Sequence, residues 1–356
     1  MYFSKKLGKN IILRIVLMLV ISIVACTLVY NDFTIYKRPI ARVEHLTEKQ
    51  QEPKNIQSIE VKLMNTNSKD KTLTLINKYD VSEVYDEKYH VGDFVFLNGK
   101  MNEIVGVKRD YLIMTAVMLL ISMLVILGGK KGMLAAICLL INAILFYLII
   151  LAYIQGINIL LLTILGSTLF AFIVLALING INKNMFASFV ATIIVTSFVC
   201  LIALISIWSS NIDYDFLDFI PEPYTRNQAN QFFMSQIIIG CLGAAIDVAV
   251  TITAATSEII NKNPKIHIKE LMHSARAVAD DITGTMINVI LFTNIAAIIP
   301  TFIISLANGI EYRTVFRFDA YFDLVRFLMG AIAILVAIPV SVLISAFLLR
   351  KGRELR

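Results

Sequence analysis

The sequence predicts a polytopic α-helical membrane protein with about eight transmembrane helices and a small extracytoplasmic β domain, an OB-like barrel or sandwich, inserted after the first helix. Composition is the first observation that predicts this class. The 356 residues are 58% hydrophobic and only 16% charged, with a mean hydropathy of +0.75, unlike an ordinary soluble domain. The second is that the apolar residues occur in membrane-length runs, with one long polar stretch after the first run.

Residues 1–35 are predicted to form an N-terminal membrane anchor helix. The apolar run 11–30 follows Lys5, Lys6 and Lys9 and is long enough to cross a bilayer. A cleaved signal peptide is the alternative, because residues 23–26 resemble a lipoprotein processing site that ends at Cys26. The apolar run continues past Cys26 to Tyr30, which favours the uncleaved anchor.

Residues 36–109 are predicted to form the extracytoplasmic β domain. The composition becomes polar, and apolar and polar residues alternate in IQSIEVKLMN, KTLTLIN, VGDFVFLNG and EIVGVKR. Period-two alternation between turn-forming residues is typical of short strands, and about five are expected. The domain lacks a run of aromatic residues among Lys and Arg, so a structural or partner-binding role is favoured over nucleic-acid binding.

Residues 110–356 are predicted to form a seven-helix membrane domain. Its apolar segments are 111–127, 133–153, 159–179, 186–208, 232–260, 284–306 and 324–349. Residues 269–281 are predicted to form a cytoplasmic helix that enters the membrane near Ile282.

The distribution of Lys and Arg predicts the orientation. Basic residues cluster on one side, at Lys5, Lys6, Lys9, Lys130, Lys131, Lys183, Lys262, Lys265, Lys269, Arg350, Lys351, Arg353 and Arg356. The other side carries the β domain and an acidic loop with Asp213, Asp215, Asp218 and Glu222, beside the interfacial residues Phe216, Phe219, Pro221, Pro223 and Tyr224. By the positive-inside rule both termini are cytoplasmic and the β domain is extracytoplasmic, with Arg313, Arg317 and Arg326 as exceptions.

The candidate functional residues lie in two apolar runs that carry acids. In the first, Asp247, Thr251 and Glu258 share one helix face with Gly240, Ala244 and Ala254, because successive members of this set are three or four residues apart. In the second, Asp281, Thr285 and Asn288 share a face with Gly284 in the same way. Carboxylates inside a membrane span are costly unless they are protonated, paired or turned towards a wet cavity. The sequence therefore predicts that the six polar residues of these two faces bind a proton, a cation or a substrate.

Small residues accompany the acids on both helices. They are Gly240, Gly243, Ala244 and Gly284. Small side chains at a contact allow two backbones to approach closely in a membrane. We expect these four residues to pack the two helices together along one polar seam.

These two runs resemble the signature region of the YibE/F family of bacterial multi-spanning membrane proteins. The first run matches at Gly240, Asp247, Val248, Ala249, Ile252, Ala255, Glu258 and Ile259, and the second at Asp281, Ile282, Gly284, Thr285, Met286, Ile287 and Asn288. The family-like core covers about residues 232–306, and in layout the resemblance extends over most of the chain. One departure is Asp280, where the family pattern has a basic residue; Arg276, four residues earlier, can compensate for its charge.

The resemblance implies a multi-pass protein of the bacterial cell membrane with a role in transport, and it implies no particular substrate. We therefore expect a secondary transporter or permease for a small molecule or ion. Two alternatives stay open. Asp247 can serve only to lock two helices by bonding Asn288 or Thr285, or the protein can be a scaffold that recruits a protein partner through the outer β domain.

The sequence shows no motif of an enzyme, a cofactor site or a metal site. The motifs G-x-G-D, H-E-x-x-H and G-x-S-x-G and a glycine-rich phosphate loop are missing, so no enzyme and no cofactor are expected. The cysteines (Cys26, Cys138, Cys200, Cys241) lie in apolar runs and the histidines (His45, His90, His267, His273) lack ligand spacing, so no metal site is expected. The lipid bilayer is the expected environment, nucleic acid is not an expected partner, and the pattern indicates no oligomeric state.

Overall fold

The computed structural model describes residues 2–50, 54–65, 70–80, 82, 86–209 and 225–354. The chain forms two compact units, Met1–Ala136 and Ile137–Arg356. The predicted acidic loop and interfacial segment, residues 213–224, lie outside the described residues.

The first unit begins with helix α1 (Tyr2–Tyr30) and includes the first half of helix α2 (Asp110–Ile154). Polar side chains join the two helices within their apolar surfaces. The hydroxyls of Ser22 and Ser122 are 3.2 Å apart, and the Cys26 sulfur lies 3.5 Å from the Thr115 hydroxyl. Residue numbers rise along α1 as their partners fall along α2, so the two helices run antiparallel.

Between α1 and α2 the chain forms an antiparallel sheet of five strands. These are β1 (Ile40–Lys49), β2 (Asn55–Leu63), β3 (Thr72–Tyr79), β4 (Phe94–Leu97) and β5 (Ile104–Val107), in the spatial order β3-β2-β1-β4-β5. Alternate residues bury one face; Ile59, Val61 and Leu63 of β2 are almost fully buried. The predicted small β domain is confirmed as a sheet, and the pairing of β3 with β5 that would close a barrel is not among the described pairings.

A buried ion cluster lies where α1, β5 and α2 meet. The ammonium group of Lys108, whose side chain is 1% exposed, lies 2.8 Å from both Asp32 and Asp110 and donates a 2.6 Å bond to the Val29 carbonyl. Tyr36 donates a hydrogen bond to Asp110, which raises the pKa of Tyr36 to about 12. We call Lys108, Asp32 and Asp110 the Lys108 cluster; it connects the end of α1 to the end of the sheet.

A sharp chain reversal interrupts α2 at Gly129. Gly129 has φ 58° and ψ −127°, which is non-helical and readily adopted only by glycine. Beyond it, Gly132 lies directly against the Leu124 backbone carbonyl, eight positions earlier, which an uninterrupted helix would place roughly 12 Å away. The predicted boundary between apolar segments 111–127 and 133–153 therefore falls at a real break.

The second unit is helical. It contains the rest of α2 and helices α3 (Ile159–Asn179), α4 (Lys183–Ser209), α5 (Arg226–Lys262), α6 (Ile268–Ala307), α7 (Tyr312–Val315), a π-helical turn (Phe316–Ala320) and α8 (Tyr321–Glu354). Among the described residues of the whole chain, seven helices are long and apolar enough to cross a membrane. The predicted combination of long apolar helices and a small N-terminal β domain is confirmed.

Helix α5 lies at the centre of this unit. Its buried residues share one hydrophobic core with α4, α6 and α8 and a smaller core with α3 and α4. Alanines at the contacts, such as Ala245, Ala279 and Ala337, are fully buried. Small side chains allow the helix backbones to approach closely, so van der Waals contacts between the helices stabilise most of the core. The Ser345 and Thr253 hydroxyls add a hydrogen bond of 3.2 Å.

Candidate functional site

The predicted acidic face of α5 is a narrow exposed line on an otherwise buried helix. Of the predicted members, Gly240, Asp247, Thr251, Ala254 and Glu258 are exposed, whereas Ala244 is half-buried. On both sides of Asp247 the neighbouring residues are buried, with Ile246 8% and Val248 1% exposed. We call the five exposed residues, together with the exposed Gly243, the α5 polar line.

Two helices flank the α5 polar line. On one side Leu242 and Ile246 pack against Ala171 and Leu175 of α3. On the other side Val248 belongs to the core that α5 shares with α8. The α5 polar line is thus the exposed face of α5 between its contacts with α3 and with α8, and no described helix covers it.

The Asp247 carboxylate makes no hydrogen bond or ion pair within the part of the chain that the structure describes. Among the described residues, the one bond at Asp247 besides those of the helix backbone is the 2.9 Å bond that the Thr251 hydroxyl donates to the Asp247 carbonyl. This bond does not involve the Asp247 carboxylate, and no described helix holds that carboxylate.

Three residues that sequence reasoning did not assign to the site stand at the N-terminal end of the α5 polar line. Arg326 of α8 lies against Gly240, where an added Cβ would meet its side chain at 3.2 Å. Its guanidinium donates a 3.4 Å bond to Gln236 and pairs with Asp323 at 2.8 Å. Gln236 lies four residues before Gly240 on the same face, which is the signal that could have identified it.

The polar face of α6 does not contact the α5 polar line directly. Ile282, Met286 and Ile290 pack against the shared core, whereas the predicted residues lie on the opposite side of α6 and are exposed. These are Asp281, Gly284, Thr285 and Asn288. Thr285 donates to the Ile282 carbonyl and Asn288 to the Gly284 carbonyl, both at 2.8 Å, so these bonds stay within α6.

The four predicted packing residues have different surroundings. Gly243 and Gly284 face open space, since an added Cβ would meet nothing within 4 Å. Gly240 is close to Arg326, and Ala244 is half-buried beside the shared core. The single polar seam expected between the two helices is therefore absent among the described residues, because α6 packs through the face opposite its polar one.

The described residues contain no group of three or more His, Cys, Asp or Glu side chains that could hold a metal ion. The four cysteines are free, and Cys138 and Cys241 are buried. Buried apolar surroundings make a thiol inert, and the cysteines serve as small packing residues.

These features define a mostly helical protein with long apolar helices, a small antiparallel sheet near its N-terminus, and an exposed helix face with an acid that has no partner among the described residues. A family model described as YibE/F-like protein matches residues 116–351, and one for the YibE/F family N-terminal domain matches residues 34–108. The chain therefore belongs to the YibE/F family, as its two acidic runs predicted. Comparison with curated proteins and with solved structures gave no match.

Proposed function

We propose that the protein is a secondary transporter or permease of the bacterial cell membrane, in which Asp247 binds the coupling proton, a coupling cation or a cationic substrate. The observation that carries this proposal is the position of Asp247. It is an acid near the centre of an apolar helix, exposed on the α5 polar line and without a partner among the described residues. An acid in this position is costly, and membrane proteins retain such acids mainly for transport or proton transfer.

The neighbours of Asp247 support the same chemistry. Thr251 and Glu258 continue the α5 polar line, and Arg326 with Gln236 occupies its other end. Hydroxyls and carboxylates along one line can bind a cation or pass a proton in steps. The helix-locking alternative needs a bond from Asp247 to Thr285 or Asn288, and both of these residues bond their own helix instead.

Transport can be tested in vesicles that contain the purified full-length protein. A proton gradient is imposed, and a panel of small molecules and cations is added while the internal pH is followed. Dissipation of the gradient by one class of compound, only in vesicles with the protein, is the expected result. If every class fails in both gradient directions, and direct uptake without a gradient also fails, the transport proposal is wrong.

The topology that goes with this proposal has eight spans, because α2 reverses at Gly129 and supplies two of them. Both termini are cytoplasmic and the β domain is outside. Single cysteines at exposed positions of the β domain, such as Lys54→Cys, Glu60→Cys or Lys100→Cys, should therefore react with an impermeant external reagent in intact cells. Lys130→Cys, Lys183→Cys and Lys265→Cys should react only after permeabilisation. External labelling of Lys265→Cys would show that the predicted orientation of the helices is wrong.

A second proposed role is recruitment of a protein partner by the β domain. Strand β3 is an edge strand that pairs only with β2 among the described strands, and its Ile76 is 72% exposed. Exposed edge strands can accept a further strand from another chain.

Deletion of residues 40–107 should leave the protein inserted in the membrane, since each apolar helix satisfies its own backbone hydrogen bonds. Activity should fall, and any partner that co-purifies with the intact protein should be lost. Asp247→Asn is the control for this deletion, because it leaves the β domain intact and should therefore retain the partner. Failure of the shortened protein to insert would show that the β domain is required for assembly instead.

A further inference from the structure

An arginine lies beside the N-terminal end of the α5 polar line. Arg326 belongs to the apolar segment 324–349 of α8, and its side chain is 32% exposed. A charged side chain within an apolar span is costly unless it is paired, so such residues are rare and usually functional. The partners of Arg326 therefore indicate what it does.

The guanidinium group of Arg326 has two partners. One of its nitrogens pairs with Asp323, one turn earlier on α8, at 2.8 Å, and another donates a 3.4 Å bond to the side-chain oxygen of Gln236. A guanidinium group carries five N–H donors, so these two contacts leave most of them without a partner among the described residues. Arg326 thus retains the capacity to bind a second carboxylate.

The aliphatic part of Arg326 lies on the backbone of α5 at Gly240. A Cβ at this position would be 3.2 Å from Cγ and 3.4 Å from Cδ of Arg326, so the glycine allows this close approach. The next member of the α5 polar line, Gly243, has nothing within 4 Å of the place that a Cβ would take. Among the described residues, the surface of α5 between Gly240 and Gly243 is therefore open to the arginine.

Asp247 lies at the other side of this open surface. It follows Gly240 by seven residues on the same face, a rise of about 10 Å along the helix axis. The Cα–Cβ bonds of a helix tilt towards its N-terminus, which brings the Asp247 carboxylate back towards Gly243. An arginine side chain is longer than one helical turn of about 5.4 Å, so the guanidinium group can turn from Asp323 towards Asp247 while its aliphatic part stays near Gly240.

We propose that Arg326 is a movable counter-ion that pairs in turn with Asp323 and with Asp247. In the state that the structure shows, Asp323 and Gln236 hold Arg326, and the Asp247 carboxylate is open to a proton or a cation. In the second state the guanidinium group turns over Gly243 and pairs with Asp247 as the bound proton or cation leaves. Arg326 is then a positioning residue that determines when Asp247 can bind.

The different positions of the two acids favour such an exchange. Asp247 is near the centre of an apolar helix, where a carboxylate that has lost its proton or cation is unfavourable without a new counter-ion. Asp323 lies one residue before the apolar segment 324–349, where water can hydrate it when Arg326 leaves. The inference rests on the proposed binding role of Asp247, and it adds the residue that makes binding at Asp247 reversible.

The test follows the Asp247 carboxyl group directly and needs no transported compound. Dicyclohexylcarbodiimide modifies protonated carboxyl groups in apolar surroundings, and mass spectrometry measures its attachment to Asp247 in the purified full-length protein in lipid vesicles. Asp323→Asn removes the competing acid, so Arg326 should move to Asp247 and labelling of Asp247 should fall at least about tenfold, because an adjacent guanidinium group favours the ionised, unreactive carboxylate. Asp323→Asn/Arg326→Gln should restore the labelling.

Two controls separate movement of Arg326 from a general change of charge. Labelling of Glu258, at the other end of the α5 polar line, should be unchanged by Asp323→Asn. Gly243→Leu fills the space over which the guanidinium group turns, so adding Asp323→Asn to this variant should no longer lower the labelling of Asp247. Gel filtration and circular dichroism check that each variant is folded.

The possible failures are distinguishable. If Asp247 is labelled in the unchanged protein and Asp323→Asn has no effect, the counter-ion proposal is wrong while the binding role of Asp247 stands. A loss of labelling that persists in Asp323→Asn/Arg326→Gln would also overturn the proposal, because the arginine would not be its cause. Absence of Asp247 labelling from the unchanged protein would contradict both the counter-ion proposal and the proposed binding role.

Discussion

Replacement of Lys108 by Met should destabilise the N-terminal unit by about 3–5 kcal/mol, the range observed when one partner of a buried ion pair is removed. The methionine has similar length and fills the same space, so the loss comes from charge. Asp32 and Asp110 would face each other without the ammonium that lies 2.8 Å from each of them now. The Val29 carbonyl would also lose its 2.6 Å bond.

This loss should be local as well as large. The Lys108 cluster joins the end of α1, strand β5 and the start of α2, so amide hydrogen exchange should accelerate in β4 and β5 before it does so in α5 or α8. Thermal unfolding of the purified protein and protease cleavage within residues 36–109 give independent measurements. Exchange that accelerates equally in both units would indicate a global defect and would contradict the local role.

A matched control is available within the same domain. Lys88 pairs with Glu48 at 3.1 Å, but both side chains are partly exposed. Lys88→Met should therefore destabilise the domain far less than Lys108→Met does, because solvent screens a surface pair. Neutralising the two acids as well, in Lys108→Met/Asp32→Asn/Asp110→Asn, should recover part of the stability. A triple variant less stable than Lys108→Met would show that the acids do more than balance Lys108.

The sequence could predict the Lys108 cluster only in part. Lys108 and Arg109 are adjacent basic residues at the end of a polar domain, which is the usual pattern of a solvated boundary. Burial of Lys108 depends on Asp32, which is 76 positions earlier and approaches only when the sheet brings the end of α1 to the start of α2. Strand β1 is not among the alternating runs that the sequence shows, because a bulge between Val43 and His45 interrupts its alternation.

The helix faces illustrate the same limit. Spacing of three and four residues defines which side chains share a face, and this was sufficient for the α5 polar line. It does not define which helix covers that face. On α6 the apolar positions Ile282, Met286 and Ile290 pack against the core, so the polar residues at Asp281 and Asn288 point away from it. A cavity beside Ser235 is lined by residues of α2, α3 and α5. Because three helices must pack together to form it, no local sequence pattern could predict it.

Replacement of Asp247 by Asn should abolish proton- or cation-coupled transport while leaving the protein folded. The amide has nearly the same shape as the carboxyl group, and no described partner of the carboxylate is lost. The amide cannot titrate or carry negative charge. We expect the transport rate to fall by at least about 100-fold, the lower end of what a positioned proton-transfer group contributes. Gradient dissipation in vesicles measures the loss, and gel filtration and helix content check the fold.

The helix-locking alternative predicts the reverse pattern. If Asp247 only bonded a neighbouring helix, Asp247→Asn would be close to silent, and Asp247→Leu would impair assembly. The exposed position of Asp247 predicts that Asp247→Leu assembles normally, because a leucine on an apolar helix costs little in a membrane. An inactive but correctly assembled Asp247→Leu therefore supports a binding role.

Two acids on α6 make the test specific. Asp280 lies two residues before Ile282, where α6 is predicted to enter the membrane. Asp280→Asn should therefore have a mild effect, and it controls for the general loss of an acid. Asp281→Asn should reduce transport only if the polar face of α6 takes part, since that face does not contact Asp247 in this structure. Full activity in the Asp247→Asn/Asp281→Asn double variant would rule out transport that is coupled to either of these two carboxylates.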